Sequence, residues 1–393
     1  MKIVHIITRL ILGGAQENTL ITCKLLAERG HDVTLITGPA LGPEGELFQQ
    51  ALSQKYRVVV IDKMRRAIHP PYDAISYLQI KKHLKRIKPD IVHTHSAKAG
   101  ILGRYAAHSL KGKLPGKGQN FPHVVHTIHG LAFHPYQARW LNEFYIAIEK
   151  AASKRTDAFI SVADAMTEKA VAAELGKSED FTTAYSAIEE EGFLGPIDPQ
   201  KISGFRRKYG ISQQAIVLIT IARLFELKGH EYIIESARRL SPRFENCVWL
   251  FVGDGNLASK IRAGIHLVNL GYKFRFTGLL GPDEIPLAIH ASDILVHCSL
   301  REGLARVLPQ AMLCNKPVVS FNIDGAKEVV SRKTGFLVEP ENIGQLTEAC
   351  EKLVTNPKLR DKLGQAGRKF VKEKFAPETM VDTIETVYRK LVD

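Results

Sequence analysis

Cysteine is scarce in this 393-residue chain: only Cys23, Cys247, Cys298, Cys314 and Cys350 occur. They are odd in number, widely separated and form no C-x-x-C, so neither a disulfide framework nor a cysteine-based zinc site is expected. Reduced thiols in a cytoplasmic protein fit instead. No run of about 18 apolar residues is present, so no membrane-spanning helix is expected. The opening stretch MKIVHIITRLILGG is apolar, but His5 and Arg9 interrupt it and no A-x-A-like site follows. It reads as a first strand, not as a signal peptide. Acidic residues are also in deficit, 41 against 54 Lys and Arg, for a formal charge of +13.

That excess is concentrated. Between Lys63 and Lys117, thirteen Lys or Arg stand against two acids, Asp73 and Asp90. Within this segment Ile80, Leu84 and Ile87 share one helical face, with Lys81, Lys82, Lys85, Arg86 and Lys88 around them. The plain reading is a docked surface helix with a solvated basic face. The sharper one is attraction to an anionic membrane surface, or to a phosphorylated acceptor, through residues 63–117. Nucleic acid is not expected as a partner, since no recognition motif or aromatic interleaving accompanies the basic residues.

What the chain has in abundance is alternation. In the first half, Ile3–Ile7, Val33–Thr37, Val58–Ile61, Ile91–Thr94, Val124–Ile128, Phe159–Val162 and Thr182–Tyr185 read as strands separated by helical patterns such as Ala15–Arg29. In the second half the strands are Ile216–Ile221, Val248–Val252, Phe274–Thr277, Ile294–Val296, Val318–Phe321 and Phe336–Val338. Between the halves, EEEGFLGPIDPQ (residues 189–200) crowds charge, Gly and Pro together and marks a boundary. The length exceeds what one core organises. The expected fold class is therefore α/β, two doubly wound parallel-sheet (Rossmann-like) domains with a cleft at the carboxyl ends of their strands. The domains would span residues 1–190 and 191–375. A final helical stretch, 376–393, carries an apolar stripe at Met380, Ile384, Val387 and Leu391, which reads as core.

Several loops carry chemistry. Gly13-Gly14 precedes a helix and lets backbone approach an anion at the helix N-terminus, which suits a diphosphate. The loop lacks G-x-G-x-x-G, and the second strand ends in Thr37-Gly38 without the acid a dinucleotide site uses, which argues against a nicotinamide enzyme. His93, His95, His126 and His129 cluster at strand ends. A metal site is one reading, although neither Cys nor a carboxylate converges with them, and individual roles at the cleft or in the core are the other. After the strand at 216–221, Arg223 and Lys228 place two cations where a parallel sheet binds its ligand. Finally, SLREGLARVLPQAMLCNKPVV runs from a strand into a helix expected to begin near Ala305, with Pro309 in its first turn. Glu302 and Gln310 bracket that helix N-terminus.

These stretches together resemble family 4 glycosyltransferases of the GT-B fold, the glycosyl transferases group 1 type. Gly13-Gly14-Ala15-Gln16 is similar to the family's G-G-A-E-like loop. His95-Ser96-Ala97-Lys98 and Thr127-Ile128-His129-Gly130 resemble family segments, and Arg223-x4-Lys228-Gly229 resembles its diphosphate clamp. Glu302-Gly303-Leu304, with a polar residue eight positions after the Glu, resembles the E-x7-E region. The chain departs from that pattern at Gln310, where the family has Glu.

The resemblance implies a metal-independent, retaining glycosyltransferase with no cofactor. Its donor would be a nucleotide-diphospho-sugar, UDP- or GDP-linked, and its acceptor a glycan or lipid-linked molecule in cell-surface polysaccharide or glycolipid synthesis. Gly13, Gly14, Arg223, Lys228, Gly303, Leu304 and Gln310 would bind the donor. His129 and Glu302 would act on the sugar, and His95, Ser96 and Lys98 would lie near acceptor or sugar. The last helix would return to the first domain. The enzyme would be cytoplasmic and peripheral on the plasma membrane. A nucleotide-sugar epimerase of the same architecture, or a non-catalytic sugar-nucleotide-binding protein, are the alternatives.

Overall fold

The computed structural model describes residues 1–41 and 47–393. All thirteen expected strands are present: β1 Lys2–Arg9, β2 Asp32–Gly38, β3 Arg57–Val60, β4 Ile91–His95, β5 His123–Ile128, β6 Ala158–Ser161, β7 Phe181–Thr183, β8 Ile216–Ile221, β9 Cys247–Val252, β10 Phe274–Gly278, β11 Ile294–His297, β12 Val318–Phe321 and β13 Gly335–Val338. By contacts the chain divides into two units, Met1–Ala187 with Pro377–Asp393, and Ile188–Ala376. The break falls three residues before the expected boundary at 190.

The first unit is a seven-stranded sheet in the order β3-β2-β1-β4-β5-β6-β7, and every pair is parallel. Buried β-branched residues such as Ile3, Val4, Ile6 and Ile7 follow one another along β1 because helices cover both faces. The helix Gly14–Glu28 buries Leu20, Ile21 and Leu26 on one face of the sheet, in a core that also holds Met380, Val381, Ile384 and Tyr388 from the terminal helix Pro377–Val392. The stripe at Met380, Ile384 and Val387 is thus core. Glu385 anchors that helix by accepting from Arg29 at 2.9 Å. On the other face, the helix Pro70–Ile87 buries Ser76, Ile80 and Leu84.

The second unit is a six-stranded parallel sheet, β10-β9-β8-β11-β12-β13. Its core gathers Trp249, Phe251, Phe321 and Leu353, all at most 1% exposed. The five cysteines are buried and unpaired. One helix differs from expectation: the segment after β11 becomes α-helical at Val307 and ends at Leu313, so residues 301–306 form an irregular approach. Pro309 remains in the first turn, where no N–H is needed.

In both sheets strand order reverses direction at the centre, between β1 and β4 in the first and between β8 and β11 in the second. Loops leaving the carboxyl ends of two such strands diverge to opposite faces and leave a crevice, the usual ligand position in this architecture. The sequence motifs fall on these loops.

Candidate functional site

In the first unit, the loop after β1 leads to Gly13, the N-cap of the helix Gly14–Glu28, one residue earlier than expected. A Cβ at Gly13 would lie 2.9 Å from the Gln16 side-chain oxygen, the mobile end of a flexible side chain that can turn aside. Across the reversal, β4 ends at His95 and Ser96 follows with φ 61 and ψ 159, a conformation nearly confined to glycine. Two contacts hold it there: Thr8 Oγ1 lies 2.7 Å from Ser96 Oγ and also accepts from the Ala99 N–H at 3.2 Å. Strain of about 1–3 kcal/mol is thus kept at a strand end, beside a recess lined by Ser96, Arg104, His126, His129 and Gly130.

The histidines separate into two kinds. His126 Nδ1 lies 2.9 Å from Thr94 Oγ1. His93 Nε2 lies 2.6 Å from Thr127 Oγ1, and its Nδ1 meets the Tyr388 hydroxyl. Both rings are buried, His93 with both nitrogens engaged and His126 held at Nδ1. His95 instead continues outward, its Nδ1 3.0 Å from His129 Nε2, while its Nε2 lies 2.9 Å from Nδ1 of His5. Burial pushes His5 down to about 3 and His95 well below the ordinary imidazole value, so both are neutral at pH 7.

His5, His93 and His95 come close enough to hold an ion, their candidate ligand atoms lying within 4.8 Å of one another. Of their six ring nitrogens, however, all but His5 Nε2 already have a hydrogen-bond partner. Among the described residues no carboxylate joins the three in that group to offset an ion's charge. Lys98 is directed elsewhere: its ammonium bonds both Asp73 oxygens, at 2.6 and 2.8 Å, and the Ala67 carbonyl. It therefore tethers the Pro70–Ile87 helix, and it presents no unpaired cation beside His95.

In the second unit, the loop after β8 carries Arg223, whose guanidinium stacks over Phe225 with its centre 5.0 Å from the ring. Lys228 follows, then Gly229 with φ 68 as N-cap of the helix His230–Leu240. A Cβ on Gly229 would sit 2.0 Å from the Cys298 carbonyl oxygen, so this loop lies directly on the end of β11. That close approach brings the Lys228 ammonium into an ion pair with Glu302.

Burial alone would raise the Glu302 carboxyl. The Lys228 charge and hydrogen bond, with His297 beside it, outweigh that and hold it at about 2. The Glu302 N–H donates to Asp324 at 2.6 Å, and Gly303 accepts from the Gly325 N–H at 3.1 Å, fixing the segment on the loop after β12. Leu304 is buried, and Gln310 is half-buried in the first turn of Val307–Leu313.

Sequence reasoning missed His5, His297, Asp324 and Tyr388. His297 closes β11 with Nε2 buried, without a hydrogen-bond partner and 3.7 Å from Glu302. A polar residue ending an apolar strand five positions before Glu302 was its only signal. Tyr388 carried none, since it reads as one more aromatic on an amphipathic helix.

Both halves of the chain match family models. The model described as Glycosyltransferase Family 4 matches residues 12–188, and that of Glycosyl transferases group 1 matches residues 202–370. The chain is 28% identical over 395 residues to the UDP-Gal:alpha-D-GlcNAc-diphosphoundecaprenol alpha-1,3-galactosyltransferase of Escherichia coli, covering 100% of this chain and 97% of that one. It is 25% identical to the N-acetyl-alpha-D-glucosaminyl L-malate synthase of Bacillus anthracis, over 93% of this chain and 91% of the other.

Among solved structures, Anabaena HepE in complex with UDP and glucose superposes with a TM-score of 0.82 at 19% identity, covering 98% and 99% of the two chains. A glycosyltransferase from Rickettsia africae superposes at 0.79 with 20% identity, covering 100% and 98%. Family matches in both halves, relatives named as glycosyltransferases along nearly the full length and the shared architecture agree: the chain belongs to family 4 of the glycosyltransferases, group 1 type, and is a transferase of the GT-B fold with two Rossmann-like domains.

Proposed function

We propose that this glycosyltransferase moves a hexose with retention of configuration from a UDP-sugar to a lipid-linked, diphosphate-bearing acceptor, without a metal ion or other cofactor. One observation carries the donor half of this reading: two cations and a carboxylate, Arg223, Lys228 and Glu302, stand on the loops leaving β8 and β11 at the strand-order reversal. When a glycosidic bond to a nucleoside diphosphate breaks, negative charge grows on the leaving phosphates. Arg223 and Lys228 stabilise that charge from fixed positions, which supplies what a divalent ion supplies elsewhere. Glu302 accepts from sugar hydroxyls, His129 orients the sugar, and Gln310 holds the ribose. The loop at Gly13-Gly14, with backbone N–H groups at a helix start, approaches the donor phosphates.

The choice of donor and acceptor is supported by the relatives. The E. coli enzyme is named for UDP-Gal and a diphosphoundecaprenol-linked acceptor, and HepE was solved with UDP-glucose. Membership in a transferase family weighs against the epimerase and the non-catalytic reading.

A lipid-linked acceptor also gives a reason for the basic segment. No helix among the described residues is long and apolar enough to cross a membrane. The outward face of the helix Pro70–Ile87 is nonetheless apolar toward its start, with Ile75 40% and Leu78 62% exposed and Ile68, at 64%, just before it. Exposed Lys82, Lys85 and Arg86 follow along the same helix. Apolar residues next to cations fit the boundary between head groups and acyl chains of an anionic bilayer, so we place the protein peripherally on the cytoplasmic membrane face.

The test is incubation with UDP-galactose, UDP-glucose and UDP-N-acetylglucosamine, each with a short-chain polyprenyl-diphospho-sugar. The expected result is acceptor-dependent release of UDP and an α-linked product from the α-linked donor. A β-linked product would overturn retention, and release of an isomerised UDP-sugar without acceptor would favour the epimerase.

A further inference from the structure

His129 is the outermost of three imidazoles joined in a line through three segments of the first unit. His5 stands in the middle of β1, His95 ends β4, and His129 follows β5. Parallel register pairs His5 with His93, and alternation along β4 turns His95 to the same face. The rings of His5 and His95 stack with centroids 5.2 Å apart and an interplanar angle of 14°. His93, fixed by Tyr388 and Thr127, packs against both, at 4.9 Å from His5 and 4.3 Å from His95.

Each link joins unlike nitrogens: His5 Nδ1 to His95 Nε2, and His95 Nδ1 to His129 Nε2. A neutral imidazole has one N–H and one bare nitrogen, and a hydrogen bond needs one of each. His95 uses both nitrogens and is kept neutral by burial. It therefore donates at one link and accepts at the other. If His95 carries its proton on Nδ1, then His129 accepts at Nε2 and, when neutral, holds its own on Nδ1, while His5 donates from Nδ1. If His95 carries it on Nε2, the other two must do the same. A mixed arrangement opposes two N–H groups, or two lone pairs, at about 3 Å inside the core.

We infer that His5 and His95 are positioning residues for His129: the three rings share one tautomer, and the state of His5 sets which nitrogen of His129 bears the proton. This rests on the reading of His129 as the group that orients the sugar, since its Nδ1 is a donor in one state and an acceptor in the other. Neither His5 nor His95 touches substrate in this account. The far end agrees with a device that needs no further partner, for His5 Nε2 is buried and has no hydrogen-bond partner.

The experiment is long-range 1H–15N correlation of the full-length protein labelled with 15N-histidine, compared with His5→Leu and His5→Asn. In the wild type, the ring nitrogens of His5, His95 and His129 should all report Nδ1–H or all report Nε2–H. His5→Leu removes the first link and should reduce the bias at His129 from about tenfold, a 1.4 kcal/mol preference, toward an even mixture. With UDP-galactose as donor, kcat should fall by about twofold, as the favoured tautomer drops from roughly nine-tenths to one half of the molecules, while KM is unchanged. His5→Asn, whose amide reaches the position of Nδ1, should restore both readings.

Unlike tautomers among the three wild-type rings would overturn the inference. So would unchanged His129 nitrogens in a folded His5→Leu protein. Because the wild-type spectrum needs no turnover, an enzyme inactive with every UDP-sugar would remove the donor assignment and leave this test standing.

Discussion

Lys228 and Glu302, 74 positions apart in the chain, form an ion pair across the carboxyl ends of neighbouring strands β8 and β11. In the proposed reaction the two have different partners, the diphosphate for Lys228 and the sugar for Glu302. Without a donor they satisfy each other, so each charge is compensated in a partly desolvated place. A donor that replaces one partner must therefore offer both a strong anion and hydroxyl donors. A nucleotide-diphospho-sugar does, and a free phosphate or a free sugar alone does not.

Arg223→Ala should remove about 2–4 kcal/mol of transition-state stabilisation, a fall in kcat of roughly 30- to 900-fold, by analogy with removal of one preorganised electrostatic donor. Steady-state kinetics with the best UDP-sugar checks this. Activity within a factor of a few of wild type would remove Arg223 from the clamp. Turnover should also persist in excess EDTA, whereas its loss and rescue by added metal would return attention to His5, His93 and His95.

The ion pair has a pH signature. The Glu302 carboxyl is held at about 2, against an ordinary value of 4.5. Stability from this depressed value is fully present above about pH 4.5 and is lost as pH falls toward 2. By about pH 3 roughly 2 kcal/mol should be gone. Urea unfolding at pH 6 and pH 3 should show the wild type losing that much more than Glu302→Gln, which has no carboxylate to protonate. Equal losses in the two proteins would mean that the pair does not contribute.

Gln310→Glu tests the departure from the family pattern. A carboxylate accepts two charge-assisted hydrogen bonds from ribose hydroxyls where an amide must donate one. The gain should be about 1 kcal/mol, or roughly fivefold in donor affinity, less what repulsion from the diphosphate removes. Isothermal titration with UDP and steady-state kinetics should show a lower donor KM with kcat nearly unchanged. A fall in kcat of more than about tenfold at constant donor affinity would take Gln310 away from the ribose.

Membrane attachment predicts sedimentation with vesicles containing anionic lipid, and release as salt rises toward 1 M, where the screening length shrinks to about 3 Å. Replacing Leu78 by Glu should weaken binding, because the apolar contribution is lost and a like charge is added. Equal binding to neutral and anionic vesicles would rule out the basic residues as the attachment.

The strands, their parallel arrangement in two sheets, the family and the loops bearing Gly13, Arg223 and Glu302 were all legible in the amino-acid order. Each depends on local signals: β-branched runs, helical spacing, and a cation or glycine at the end of a strand. Even the helix that begins at Val307, and not near Ala305, is a difference of two residues. Partner choice was not legible. That Lys98 meets Asp73, that Lys228 meets Glu302, and that His95 lies between His5 and His129 follow from strand order, which brings β1 beside β4 and β8 beside β11 across dozens of intervening residues. Spacing along the chain carries no record of such neighbours, because a side chain's protonation and pairing depend on what packs against it in space, and only the closed sheets determine that.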